Sequence, residues 1–325
     1  MKIVRKIGLW LIASIGVLLL AGILFEQYSR WRLEKDIYEG KTFAEIDGHK
    51  IHYVKKGEGN KTVVFVSGLG SNNTIWQETQ DSIAKNAVTI SYDRSGLFLS
   101  DKSEAPITND AASEELAKLL EQTNCPKPYI IVAHSMGGIY MRPFITSHAN
   151  DITGIVFVEA AHPLQMKKAS PQLLKAISAP PMWLIRFVVN TGIYRTLFSF
   201  VQLNPELSID HPMHIHERNF FYKSYETLIK EAENDDRNFK DAEKYNSFGD
   251  IPLIDIVGTS DIRSAFFKDP NLKKEYRDLV YEIHADLLNL STNSRSVKAT
   301  KSGHVVQIND SDLITGEIRK LLLTY

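Results

Sequence analysis

Short apolar runs alternate with segments of helical periodicity, and this alternation most strongly constrains how the chain folds. Strands that are buried on both faces appear as continuous apolar runs. Besides a hairpin over residues 43–54 with a turn at Asp47-Gly48, the sequence predicts strands over residues 62–66, 87–92, 129–133, 155–158, 251–257 and 296–300. Helical segments lie between these strands, which favours a parallel sheet covered by helices on both faces. We therefore predict an α/β fold with a mostly parallel central sheet.

One long stretch, residues 163–250, interrupts this alternation. It contains no convincing strand pattern, but it holds apolar helical pieces over residues 182–189 and 193–201 and a charged segment over residues 226–244. The sequence therefore predicts a helical insertion between two strands of the sheet.

A serine follows the strand at residues 129–133 and precedes a helix, in the run His134-Ser135-Met136-Gly137-Gly138. A serine on a tight strand-to-helix turn, flanked by small residues, is the arrangement called a nucleophile elbow. The turn raises the Ser135 hydroxyl above the sheet and directs the backbone N–H of Met136 into the same space. Ala133 stands two residues before the serine, where the usual pattern has glycine. We predict that Ser135 is a nucleophile.

A nucleophilic serine needs a general base, and the base needs an acid that orients it. His304 lies in the last loop, between the last predicted strand and the closing helix, and we predict that it is the base. Two acids follow buried strands and satisfy the chain order serine, acid, histidine. We favour Asp261, and Glu159 is the alternative.

A glycine-rich loop, Ser67-Gly68-Leu69-Gly70-Ser71, follows the first buried strand. Acyl-transfer chemistry requires two N–H donors around the developing oxyanion. We predict that the N–H groups of Leu69 and Met136 are these donors. The loop lacks the lysine and the glycine spacing of phosphate-binding loops.

These motifs, in this order, resemble the signature set of the α/β-hydrolase superfamily. The matching segments are Val66-Ser67-Gly68-Leu69-Gly70-Ser71, Tyr92-Asp93-Arg94-Ser95-Gly96, His134-Ser135-Met136-Gly137-Gly138, Gly258-Thr259-Ser260-Asp261 and Ser302-Gly303-His304. The resemblance implies an α/β-hydrolase fold from residue 42 to the C-terminus, with a Ser135-Asp261-His304 triad and a helical cap at about 163–250. We also expect Asp93 and Arg94 to form a hydrogen-bonded pair under the oxyanion loop.

The resemblance further implies a serine hydrolase that cleaves a carboxylic ester, of the carboxylesterase or lipase type, on a small or lipid-like substrate. It implies no cofactor and no metal. Enzymes of this family that act on epoxides or haloalkanes have aspartate where Ser135 stands. Two alternatives stay open: an amide or peptide hydrolase on the same triad, and a non-catalytic ligand-binding or signalling protein.

An apolar run of 19 residues without charge, residues 7–25, lies near the N-terminus. As a helix it would span about 28 Å, close to the thickness of a bilayer core. Lys2, Arg5 and Lys6 precede it, so the positive-inside rule predicts a cytoplasmic N-terminus. We predict a single-pass membrane anchor over residues 1–26, a polar linker or short helix over residues 27–41 and an extracytoplasmic catalytic domain. A cleaved signal peptide is the alternative.

Composition excludes some other classes of function. The net charge is −1, so no basic excess is present to neutralise a nucleic acid. The single cysteine, Cys125, excludes an internal disulfide and a cysteine-rich metal centre.

Overall fold

The computed structural model describes residues 2–203 and 206–324. Met1, Asn204, Pro205 and Tyr325, which fall within the predicted anchor, cap and catalytic domain, lie outside the described residues. The described chain divides into two compact units. We call Met1–Gly40 with Ala179–Tyr225 the helical unit, and Lys41–Ser178 with Glu226–Tyr325 the catalytic unit.

Eight strands of the described chain form one sheet in the catalytic unit. They are β1 (Thr42–Ile46), β2 (His49–Lys56), β3 (Thr62–Val66), β4 (Val88–Tyr92), β5 (Tyr129–His134), β6 (Ile152–Val158), β7 (Leu253–Gly258) and β8 (Ser294–Ala299). Their order is β1-β2-β4-β3-β5-β6-β7-β8. β1 and β2 are antiparallel to their neighbours, and the other strands are parallel to one another.

The helices described are α1 (Lys2–Glu34), α2 (Gln77–Ile83), α3 (Asn109–Gln122), α4 (Gly137–Tyr140), α5 (Arg142–Ser147), α6 (Gln165–Lys168), α7 (Pro171–Ile177), α8 (Met182–Asn190), α9 (Ile193–Leu197), α10 (Pro212–Glu233), α11 (Asp235–Ala242), α12 (Pro270–Leu287), α13 (Val306–Asn309) and α14 (Ser311–Thr324). The predicted α/β-hydrolase fold with a mostly parallel sheet is thereby confirmed. Within the described part of residues 163–250 there are helices and no strand, as the sequence predicts.

The sheet core explains why the strands appear as apolar runs. Every residue of β3, β4 and β5 is buried, so both faces of these strands are covered. Register then aligns the strand ends: Val66 pairs with Ala133, and His134 pairs with Val158. Residues that follow these strands therefore emerge side by side at one edge of the sheet.

α1 continues through Glu34 and so includes most of the predicted linker. Among the described residues, it is the one helix long and apolar enough to cross a membrane, and a signal sequence would meet the same criterion. Its large apolar side chains before Leu19 are exposed.

Candidate active site

Ser135 lies directly after β5, in the turn that leads into α4. Its φ of +50° is in the left-handed region, which costs free energy for a residue with a side chain. The small neighbour at 137 is required, because a Cβ there would lie 2.9 Å from the Val66 carbonyl oxygen. Ala133 is fully buried and fits the turn. The predicted strand–turn–helix setting of the serine is therefore present.

The glycine-rich loop after β3 approaches this serine closely. A Cβ at Gly68 would lie only 2.9 Å from the Cβ of Ser135, so glycine at 68 permits the approach. Leu69 follows in this loop, and Met136 follows Ser135. The backbone segments that carry both predicted oxyanion donors thus lie beside the serine.

His304 lies in the loop between β8 and α13. Its Nε2 is 3.2 Å from the Ser135 Oγ, which is within reach of proton transfer. Its Nδ1 faces the opposite way, toward a carboxylate. The structure thus brings together the serine and the histidine that the sequence singles out.

Glu159 supplies that carboxylate. Its Oε2 is 3.2 Å from the His304 Nδ1, and its side chain is 0% exposed. The backbone N–H of Gly258 donates to Oε1, and the Arg263 guanidinium forms an ion pair with Oε2. Glu159 follows β6 and has a φ of +51°, so the backbone turns as it leaves the strand. These contacts hold an ionised carboxylate against the imidazole.

The prediction that Asp261 orients His304 is wrong on the geometry. The Asp261 side chain is 80% exposed, and its nearest ion-pair contact is Arg277, at 3.7 Å. The physical reason lies in the local turn. The Ser260 hydroxyl accepts the N–H of Ile262 and caps a short 3₁₀ helix, Asp261–Ser264, that begins at the acid. The acid therefore lies on the outside of this turn, while Arg263 reaches Glu159.

A buried histidine that the sequence reasoning missed supports the His304 loop. The His134 Nε2 is 3.0 Å from the His304 backbone carbonyl oxygen, and the two rings are 4.7 Å apart. A carbonyl only accepts, so Nε2 carries the hydrogen. Burial, followed by the nearby His304, holds the pKa of His134 well below its ordinary value. His134 is therefore a neutral donor that fixes the loop.

A second buried pair lies behind the acid. The His284 Nδ1 is 2.9 Å from both carboxylate oxygens of Asp255, and the His284 Nε2 is 3.9 Å from the Glu159 Oε1. Asp255 belongs to β7, and His284 belongs to α12. α12, which lies between Asp261 and His304 in the chain, thus brings a histidine close to Glu159.

Arg94 supports the oxyanion loop, but not through the expected pair with Asp93. It donates to the carbonyl oxygens of Ser67 (2.6 Å) and Gly68 (2.9 Å), and it forms an ion pair with Glu231 (2.8 Å). Burial disfavours the charged guanidinium, but Glu231 outweighs burial and raises the pKa of Arg94. Asp93 instead contacts His52 and accepts the N–H of Asn73.

A second serine–histidine contact lies elsewhere in the catalytic unit. The His49 Nε2 is 2.8 Å from the Ser95 Oγ, and the Ser95 hydroxyl donates to the Glu115 carboxylate. Hydrogen bonding to Glu115 raises the pKa of His49, which favours the protonated ring. His49 therefore acts as a donor to Ser95, and the Ser95 proton already has an acceptor. In a nucleophile with its base, the histidine accepts the serine proton, whereas here the histidine donates a proton to the serine.

Among residues 2–203 and 206–324, no cluster of three or more histidine, cysteine, aspartate or glutamate side chains could hold a metal ion. His214, in the histidine-rich stretch of the helical unit, is buried and lies 2.8 Å from the Phe198 carbonyl oxygen.

Comparison with known proteins shows the family of the chain. A model of the alpha/beta hydrolase family matches residues 63–309, which include Ser135, Glu159 and His304. The chain therefore belongs to the alpha/beta hydrolase family. The match also spans the helical insertion at residues 163–250.

Relatives and solved structures are similar over different lengths. YqjL of Bacillus subtilis, an uncharacterized protein, is 31% identical over 128 residues, which are 39% of this chain and 50% of that protein. An AB hydrolase superfamily protein of Gibberella zeae is 23% identical over 281 residues, 80% of this chain and 85% of the relative. The crystal structure of the Cif epoxide hydrolase from Acinetobacter nosocomialis has a TM-score of 0.66 and 16% identity, and the match covers 92% of this chain and 96% of that one. At this identity the structural likeness concerns the fold.

Proposed function

We propose that the protein is a membrane-anchored serine hydrolase that cleaves a carboxylic ester through an acyl-enzyme. One observation carries this proposal: the Ser135 Oγ, the His304 ring and the buried Glu159 carboxylate form a continuous chain with two contacts of 3.2 Å. Each residue follows a different strand of one sheet edge. This is the geometry in which a serine becomes a nucleophile near neutral pH.

In the proposed reaction, the His304 Nε2 accepts the Ser135 proton while Oγ attacks the ester carbonyl carbon. The N–H groups of Leu69 and Met136 stabilise the tetrahedral oxyanion, each by about 3 kcal/mol. Glu159 stabilises the imidazolium that forms and holds its tautomer. His304 then protonates the departing alcohol, and a water molecule, activated by the same ring, hydrolyses the acyl-enzyme.

The nucleophile separates this proposal from the reaction named for the Cif structure. Epoxide hydrolases of this family use aspartate where this chain has Ser135. A serine with an adjacent histidine favours acyl transfer instead. We therefore propose carboxylic ester chemistry rather than epoxide opening.

The membrane part of the proposal depends on α1. Its apolar run, residues 7–25, is long enough to span a bilayer core and is preceded by three cations. We propose that the N-terminus is cytoplasmic and that the catalytic unit is extracytoplasmic. An anchor raises the local concentration of membrane-borne esters, so lipid-like esters are the favoured substrates.

Labelling with a fluorophosphonate probe, combined with a panel of p-nitrophenyl esters of increasing acyl length, tests the chemistry. We expect Ser135→Ala to lose labelling and ester hydrolysis while keeping its circular dichroism spectrum. Ser95→Ala is the matched control, because Ser95 also contacts a histidine but already donates to Glu115. Ser95→Ala should keep both probe labelling and ester hydrolysis.

Retained labelling in Ser135→Ala would overturn the nucleophile assignment. A panel of the corresponding anilides, tested in parallel, decides between ester and amide cleavage. Faster turnover of the anilides than of the esters would replace the ester proposal with its amide alternative.

A further inference from the structure

The second half of α1 packs within the helical unit along one face. Leu19, Gly22 and Glu26 are partly or fully buried there, at helical spacing, while the large apolar side chains before them are exposed. The apolar side chains in the first half of α1 are therefore exposed, whereas one face of its second half is covered by protein.

The covering element is the turn that joins α8 to α9. A Cβ at Gly22 would lie 2.4 Å from the Thr191 carbonyl oxygen, and one at Gly192 would lie 2.7 Å from the Gly22 carbonyl oxygen. One helical turn further along α1, Glu26 pairs with Arg195 of α9 at 2.7 Å, and Glu26 is only 2% exposed. Backbone contact and a buried ion pair thus fix the α8–α9 turn at the level of Gly22.

The length of α1 places this turn at a definite depth. The apolar stretch before the covered face, residues 7–18, has twelve residues and extends about 18 Å. A bilayer core is about 30 Å thick, so a spanning helix must also use residues 19–25. Gly22, which contacts the α8–α9 turn, is one of these residues. Gly22 lies three residues before Phe25, the last residue of the apolar run, so if α1 spans the bilayer that turn lies roughly 5 Å inside the hydrocarbon region.

The surface near this turn is suited to such a position. Six of its exposed side chains are large and apolar: Trp183, Phe187, Ile193, Leu197, Phe200 and Val201. Phe200 is 79% exposed. Residues 179–203 contain only two charges, both cationic. Of these, Arg195 is paired with Glu26, and Arg186 lies on α8 with a side chain long enough to reach the headgroups.

We propose that the apolar face of α8 and α9 is a membrane surface that lies in the outer leaflet beside α1. The proposal commits to lipid as the occupant, because α1 and the α8–α9 turn are in direct contact and so share one depth. It rests on the proposed anchor. The helical unit would then be held by two elements, one that spans the bilayer and one that enters a single leaflet, as interfacial amphipathic helices do.

The consequence for the proposed function concerns the substrate. An ester dissolved in the leaflet, such as an acylated lipid, would meet the helical unit without leaving the membrane. This surface therefore favours a long-chain ester as the substrate over a water-soluble ester.

Spin labelling of the full-length chain in vesicles of neutral and anionic phospholipid tests the placement. Single cysteines replace Leu197 and Phe200 in a Cys125→Ala background, and each is converted to a nitroxide. Leu18→Cys, in the bare part of α1, is the control for the bilayer interior. Lys35→Cys, past the end of α1, is the control for water. Power saturation then compares collisions with oxygen, which concentrates in lipid, and with a water-soluble nickel complex.

We expect the labels at 197 and 200 to match that at 18, with frequent oxygen collisions and loss of nickel collisions, while the label at 35 collides with nickel. Nickel collisions at 197 and 200, with a lipid-like signal at 18, would overturn the proposal and leave the anchor intact. Protection of 197 and 200 from both reagents would show a protein partner, such as a second copy, and would also overturn it. A water-like signal at 18, or a mature chain that begins after Phe25, would refute the anchor itself.

Discussion

At the residue scale, the choice of acid decides how His304 is held. Ser135 and His304 could be predicted, because their positions relative to the strands leave few alternatives. Glu159 and Asp261 could not be separated in this way, since both follow buried strands. The difference arises from the turn that Ser260 caps, which leaves Asp261 exposed, and from the φ of +51° at Glu159. The sequence pattern shows neither the exposed position of Asp261 nor the backbone conformation of Glu159.

The acid assignment predicts opposite results for two isosteric changes. Glu159→Gln should lower kcat by roughly 10²- to 10⁴-fold, because the amide cannot stabilise the imidazolium or maintain its tautomer. Asp261→Asn should change kcat by less than about twofold, because an exposed ion pair contributes little. Turnover of a p-nitrophenyl ester measures both.

Since Glu159 also pairs with buried Arg263, the Gln variant needs a check of its fold by thermal unfolding. A folded Glu159→Gln enzyme with near-normal kcat, or an Asp261→Asn enzyme that loses activity, would contradict the assignment.

At the element scale, most strands and helices follow from the sequence, because burial on both faces and helical periodicity are local signals. The residue at which α1 ends does not follow from the sequence. The sequence predicts a polar linker or a short helix after residue 26, and the structure shows that residues 27–34 continue α1 itself. Side chains of this segment contact distant residues: Tyr222 donates to Glu34, and Arg30 donates to Asn190 across 160 positions of the chain. A local pattern contains no information about such partners.

The ion pair between α1 and α9 predicts a cost for Glu26→Gln. Removing one partner leaves buried Arg195 without its counter-charge, and such a loss typically costs about 3–5 kcal/mol. We expect faster amide hydrogen exchange in α8 and α9 of the full-length protein in vesicles. Glu34→Gln is the control, because Glu34 is exposed and makes a single hydrogen bond of 2.8 Å to Tyr222. Equal exchange in the two variants would show that the ion pair does not hold the elements together.

At the scale of the whole molecule, one carboxyl group predicts how stability varies with pH. Burial, followed by the charges of Glu231 and Asp236, raises the pKa of Asp235 from 3.8 to about 7. The folded protein thus retains a proton that the unfolded chain releases near pH 4. Stability from this group is complete below that pH and falls as the pH rises toward 7.

Asp235→Asn should therefore unfold at a higher temperature than the wild type at pH 8, by an amount that corresponds to about 1 kcal/mol after solvent screening. Below pH 4 the two proteins should unfold alike. Calorimetry across this pH range measures the difference, and Asp250→Asn, at an exposed position whose charge does not contribute to the shift at Asp235, should show no such trend. A destabilised Asp235→Asn protein at pH 8 would contradict the direction of the shift.

The contact between α1 and α9 also imposes an order on biosynthesis. Glu26 leaves the ribosome 169 residues before Arg195, a delay of roughly 10–30 s at ordinary translation rates. During that interval the first strands of the sheet are made, while the covered face of α1 has no protein partner. If α1 is the proposed anchor, the translocation machinery or the lipid shelters that face until α9 has been made. The helical unit is therefore completed late, around a helix that is already in place.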